Sequence, residues 1–194
     1  DLITLAKELC PQSCVAISTN AALLNDETID RICASPLDSI TFNVNGGTEE
    51  TYEKMMPPLK WDRTIGNIKK IVPKFKNKKD INFIKTNANF QEADLLREIF
   101  PDVQVIDRYW AVNRGGSVTI DKPPDVENRF KSSRKKCKQL SANLSITCDG
   151  SILLCCNCWR QEVVLGNAHD ANVIDVWNDS PLKHHRHDVC TKCG

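Results

Sequence analysis

The cysteines of the last third constrain this chain more than any other feature. Ten cysteines stand in 194 residues. Four of them form two separated pairs, Cys137-x12-Gly150-x4-Cys155 and, far downstream, Cys190-x2-Cys193. Paired thiols of this kind point to a metal, because thiolates are soft ligands and four of them suit either an iron–sulfur cluster or a structural zinc. A disulfide framework is the poorer explanation. Cys148, Cys155, Cys156 and Cys158 crowd into one short stretch, whereas scaffold disulfides are spread out to close loops.

The formal charge is +1, so no bulk field draws the chain to nucleic acid or to a membrane. The longest apolar runs, such as Ser151–Cys156, are far too short to span a bilayer, and no signal peptide opens the chain. The chain starts at Asp1, inside what reads as a helix, so a lost beginning is expected.

The first two thirds read as alternating strands and helices. Leu2–Leu9 has a helical face. Cys14–Ser18 is an apolar run of strand length, and Asp26–Ile32 repeats apolar residues at helical spacing after a capping Asn25 or Asp26. Ser39–Val44 is strand-like and is broken by Asn45-Gly46-Gly47. Thr48-Glu49-Glu50-Thr51 is a capped helix start with acids in its first turn. Trp61–Val72 and Gln91–Phe100 are amphipathic helices, and Ile81–Ile84 and Val103–Ile106 are strand candidates. This rhythm predicts an α/β fold with a parallel sheet and helices packed outside it. Such sheets place their chemistry in loops after the strand ends, here near Asn20, Asn45 and Asn87. The plainer reading is that these residues only terminate strands.

Near Gly115-Gly116 the rhythm stops, and Asp121–Pro124 with the basic stretch Arg129–Lys138 marks a boundary. Ser145–Thr147 and Ser151–Leu154 flank Asp149-Gly150, a strong hairpin signal. Asn172–Asn178 reads as a short helix. This part is a small α+β module whose core is too thin to stand alone, and a metal staple is the usual remedy. The expected domains are therefore 1–124 and 125–194.

The segment from Cys137 to Gly194 resembles the SPASM domain, the auxiliary iron–sulfur module at the C-terminus of many radical S-adenosylmethionine (radical SAM) enzymes. The resemblance rests on the Cys-x12-Gly-x4-Cys arm with its Asp149-Gly150 turn, on Leu165-Gly166-Asn167, on Ile174-x2-Trp177-Asn178, and on Cys190-x2-Cys193. The preceding segment resembles the second half of the radical SAM partial barrel. Ile17-Ser18-Thr19-Asn20 looks like the third strand and its loop. The run from Asn43 to Tyr52 looks like the fourth strand and following helix, though the family commonly has Ser and Asp where Asn43 and Asn45 stand. Asn113-Arg114-Gly115-Gly116 resembles a late-barrel loop. The family's Cys-x3-Cys-x2-Cys loop is absent, since Cys10 and Cys14 are followed by Ile17 where a third cysteine is needed. The family's Gly-Gly-Glu motif is missing too. The expectation is a fragment cut before the catalytic loop, with a chain evolved to lack the loop as the alternative.

The resemblance implies that Cys137, Cys155, Cys190 and Cys193 hold one auxiliary [4Fe–4S] cluster, and that Asn20, Asn43 and Asn45 line the S-adenosylmethionine site. It implies no catalytic residue in this chain. The full-length parent would carry a second [4Fe–4S] cluster and generate a 5′-deoxyadenosyl radical for C–H abstraction. Its substrate would be a peptide or a small molecule, its electron donor a flavodoxin or ferredoxin, and its location the cytoplasm. The competing class is a structural zinc module, held by four cysteines, in a non-redox, nucleic-acid-binding protein. The basic runs Lys74–Lys79 and Lys131–Lys138 would serve it, but short basic loops are usually just solvated.

Cys148, Cys156 and Cys158 are surplus to one cluster. Cys156 reads as a buried small apolar residue, and Cys158 stands close enough to Cys155 to compete as a ligand. Lys183-His184-His185-Arg186-His187 could offer imidazoles to zinc, but the simpler expectation is a solvated loop. Trp159 is expected to shield the metal from water.

Overall fold

The computed structural model describes residues 2–120, 140, 142–179, 187, 188 and 190. The chain divides into two compact units, Asp1–Trp110 and Ala111–Gly194. The boundary expected at 124/125 lies outside the described residues.

The first unit alternates helices and strands. In chain order these are α1 (Leu2–Leu9), β1 (Ala16–Thr19), α2 (Asp26–Ala34), β2 (Ser39–Asn43), α3 (Glu49–Met55), α4 (Trp61–Ile71), β3 (Lys78–Asn82), α5 (Ala93–Ile99) and β4 (Gln104–Ile106). The strands form one sheet in the order β1-β2-β3-β4, all parallel. Strands that follow one another in sequence order are the mark of a barrel-type sheet; a doubly wound sheet reverses direction at a switch point.

Local chemistry fixes the helix starts. Asn25 accepts the Thr28 N–H at 2.8 Å and caps α2, and Thr48 accepts the Thr51 N–H to cap α3. The strands alternate in burial. Ile40, Phe42, Ile81 and Phe83 are buried in one core with Ile29, Tyr52, Ile65, Ile68, Ile71 and Leu96 from the helices. The register sets Ser18 beside Thr41 beside Asp80, and Asn43 beside Asn82. One face of the sheet is thus apolar, and the other carries polar side chains.

The third strand begins earlier than the apolar pattern predicts, at Lys78 rather than Ile81. Its leading residues are charged, yet Lys78 pairs with the buried Asp80 at 3.1 Å. Lys79 also donates to the Phe75 carbonyl at 2.9 Å. Pairing to the whole length of β2 outweighs their polarity.

The second unit contains β5 (Ser145–Ile146), β6 (Ser151–Leu153), β7 (Val164–Asn167) and α6 (Val173–Asp179). Its sheet is antiparallel in that order. The expected hairpin is present. Gly150 takes φ 82, which only glycine adopts freely, and its N–H donates to Thr147 O at 3.0 Å. The third strand, β7, gave no sequence signal because Gly166 interrupts it. That glycine lies directly beneath Val176 of α6: a Cβ there would meet the valine Cγ2 at 3.3 Å. No helix among the described residues is long and apolar enough to cross a membrane.

Candidate functional site

Two places carry candidate chemistry, one in each unit. In the first unit it is the polar ends of the strands. Asn43 Nδ2 donates to Ser18 Oγ at 2.9 Å, and Asn82 Nδ2 donates to Asn43 Oδ1 at 3.1 Å. A hydrogen-bonded row therefore crosses β1, β2 and β3 and fixes the orientation of the Asn43 amide. Asn45 faces a different task, since its Oδ1 accepts the Ile84 N–H at 2.9 Å. The buried Asn89 donates to both the Asn45 and Ile84 carbonyls, at 3.0 Å each. Asn20 is exposed and accepts the Ala22 N–H at 3.0 Å. The structure thus brings Asn43 together with Ser18 and Asn82, while Asn20 holds its own loop and Asn45 ties the segment after β2 to the segment after β3.

Two supports of this region escaped the sequence. Ala21 sits at φ 60, an uncommon left-handed conformation for a residue with a Cβ. Asn67 of α4 donates to its carbonyl at 2.9 Å, and Thr19 Oγ1 accepts its N–H at 3.0 Å. Glu92 reaches across to the start of α3, where it accepts the Gly47 N–H and the Thr51 hydroxyl, both at 2.7 Å. Gly47 has to be glycine there, because a Cβ would collide with the Glu92 backbone carbonyl.

In the second unit the candidate is the thiol cluster. Leu154, Cys155 and Cys158 are buried together, with Leu140, Val163, Leu165 and Cys190 packed against them. Burial pushes the Cys155 thiol up. The backbone N–H groups of Asn157 and Cys158 beside it draw it back, and the nearby Cys156 and Cys190 raise it again. Cys155 and Cys190, far apart in sequence, therefore meet at one place. The described part of the donor set fits a thiolate-held metal: an apolar surround, two thiols, and backbone N–H groups that favour the Cys155 thiolate. Cys137 and Cys193 lie outside the described residues. Among the described residues no three His, Cys, Asp or Glu side chains are grouped as a metal site.

The other thiols separate by environment. Cys158 is fully buried and accepts the Val163 N–H at 3.3 Å, with Glu162 Oε2 at 3.4 Å from its sulfur. Burial pushes its thiol up as well. It pins the loop between Cys158 and Val163. Cys156 is exposed, not buried as its apolar character suggested, because the tight turn from Cys155 to Cys158 points it outward. Cys10, Cys14 and Cys148 are exposed and Cys33 is half-buried. Trp159 is 56% exposed. His184 and His185 lie outside the described residues. His187 departs from the solvated loop expected of it: its Nε2 is buried and has no hydrogen-bond partner.

Comparison with known proteins places these observations. The iron–sulfur cluster-binding SPASM domain matches residues 137–194. No curated protein sequence matches the chain. The fold is similar to that of SuiB from Streptococcus suis bound to precursor peptide SuiA. That likeness has a TM-score of 0.69 and 17% identity, and it covers 100% of this chain and 55% of the other. SuiB bound to S-adenosylmethionine gives a TM-score of 0.66 at 18% identity, over 94% of this chain and 51% of that one. The chain thus spans about half the length of the structures it matches. The chain is an open parallel α/β sheet with the fold of the matching part of SuiB, followed by a small cysteine-rich module, and residues 137–194 match the SPASM family.

Proposed function

We propose that this chain is the auxiliary-cluster portion of a radical SAM enzyme, with Cys137, Cys155, Cys190 and Cys193 as ligands of a [4Fe–4S] cluster. The observation that carries this reading is the meeting of Cys155 with Cys190 inside the segment that matches the SPASM domain. Residues 1–124 are the barrel part in this reading, and 125–194 the cluster module. Bound there, the cluster supplies a site for electron transfer or for anchoring substrate. The chain's own residues provide the thiolates, the Asn157 and Cys158 N–H groups, and the apolar wall of Leu154, Val163 and Leu165.

The parent reaction is the one-electron reductive cleavage of S-adenosylmethionine to methionine and a 5′-deoxyadenosyl radical, which takes a hydrogen atom from a C–H bond. The electron comes from a flavodoxin or ferredoxin in the cytoplasm. The Cys-x3-Cys-x2-Cys loop that this cleavage needs does not occur in the sequence, so the part of the reaction proposed for these residues is the auxiliary cluster. Asn43, oriented by Ser18 and Asn82, together with Asn20 and Asn45, lines the S-adenosylmethionine site. A peptide is the favoured substrate class, because the matching SuiB structure holds a precursor peptide.

The test is anaerobic preparation with iron and sulfide, followed by metal and acid-labile sulfide analysis and an absorption spectrum. The expected result is about four irons and four sulfides per chain, with a broad charge-transfer band that Cys137→Ala and Cys193→Ala remove. One zinc without sulfide, in a colourless protein, would establish the structural zinc module instead.

A further inference from the structure

A buried polar atom with no partner is rare, because leaving it unbonded costs as much as a lost hydrogen bond or more. Among the described residues one side chain stands in that condition, His187 at Nε2. Its position is informative. The Cys190 N–H donates to the His187 carbonyl at 2.8 Å, which closes a single turn. Residues three apart in such a turn project from the same side. His187 therefore shares a face with Cys190, and Cys190 packs against Leu154, Cys155 and Cys158.

We infer that His187 is a positioning residue of the Cys155–Cys190 site, its Nε2–H donating to a sulfur of the cluster those thiols hold. This rests on the cluster reading above. The sulfurs of an iron–sulfur cluster carry negative charge and accept hydrogen bonds, and such bonds set its potential. Water is the poorer partner, because an ordered buried water needs two to four polar neighbours, whereas Cys190 packs against an apolar wall. The same bond gives the imidazole a reason to turn its Nε2 inward, away from solvent.

The experiment compares wild type, His187→Ala and His187→Gln as anaerobically reconstituted holoproteins, measuring iron, acid-labile sulfide and cluster potential by mediated titration. A donor to sulfur favours the reduced, more negative cluster. His187→Ala should therefore keep its iron and sulfide while its potential becomes more negative. A shift of about tenfold in the reduction equilibrium corresponds to about 59 mV for one electron. His187→Gln keeps an N–H donor and should recover part of the shift. Equal potentials in wild type and His187→Ala, at equal iron content, overturn the inference. Loss of iron in both variants would also overturn it, making the imidazole a ligand and not a donor. A wild type without iron and sulfide is a separate failure, that of the cluster reading itself.

Discussion

At the residue scale, the supports of each site matter as much as the residues that face a ligand. Ala21 is the clearest case. Its left-handed conformation costs about 1–3 kcal/mol and persists only where the surroundings over-determine it. Those surroundings are the Asn67 amide on its carbonyl and the Thr19 hydroxyl on its N–H. Replacing Asn67 with Ala strands a buried carbonyl and releases the loop, so the chain should lose about 1–3 kcal/mol. Urea unfolding of Asn67→Ala checks this, and an unchanged midpoint would mean the loop is held elsewhere. None of these partners could be read from sequence. Asn67 and Ala21 are 46 positions apart, and Glu92 and Gly47 are 45 apart. The cysteines were legible because their spacing is itself the signal. Cys156 and Cys158 look alike in sequence, and only the turn between Cys155 and Cys158 sorts one outward and the other inward.

At the scale of elements, periodicity located α2, α4 and α5, which bury apolar residues in the core, and the Thr48 cap located α3; α1, also read from its apolar face, buries no residue. Periodicity failed where pairing overrides composition, as in the charged start of β3, and where glycine hides a strand, as in β7. The joint between α1 and the sheet depends on charge. Asp38, just before β2, accepts the Val15 N–H at 2.7 Å and two contacts from Lys7 Nζ, at 3.0 and 3.2 Å. The Val15 bond, and then Lys7, hold its carboxyl below the usual carboxylate range. A depressed carboxylate stabilises the fold above its unfolded pKa, roughly 3.9, and that contribution disappears as pH falls through the lower folded value. Wild-type stability should therefore decline in acid more steeply than that of Asp38→Asn, while above about pH 5 the variant is uniformly weaker. Parallel acid limbs in urea titrations of the two proteins would show that Asp38 is not the joint. Faster hydrogen exchange at the Val15 amide is the local sign expected in the variant.

At the scale of the whole molecule, the sheet of the first unit has two edge strands among the described residues, β1 and β4, and β1 pairs only with β2. Ala16 and Ser18 on β1 are exposed. Close by in sequence, Leu2, Leu5 and Leu9 of α1 are 82%, 48% and 72% exposed, and Leu23 is 82% exposed. An unpaired edge is a template for association, and natural sheets blunt such edges with lysine, proline or a bulge. None of these occurs within Ala16–Thr19. The isolated chain should therefore self-associate as its concentration rises, and Ala16→Lys, a charge placed on the open edge, should shift the population back to monomer. Light scattering across a concentration series distinguishes the outcomes. A wild type that stays monomeric with one sharp unfolding transition would mean that the edge is already protected. An Ala16→Lys chain as associated as wild type would move the contact from the strand to the leucines of α1.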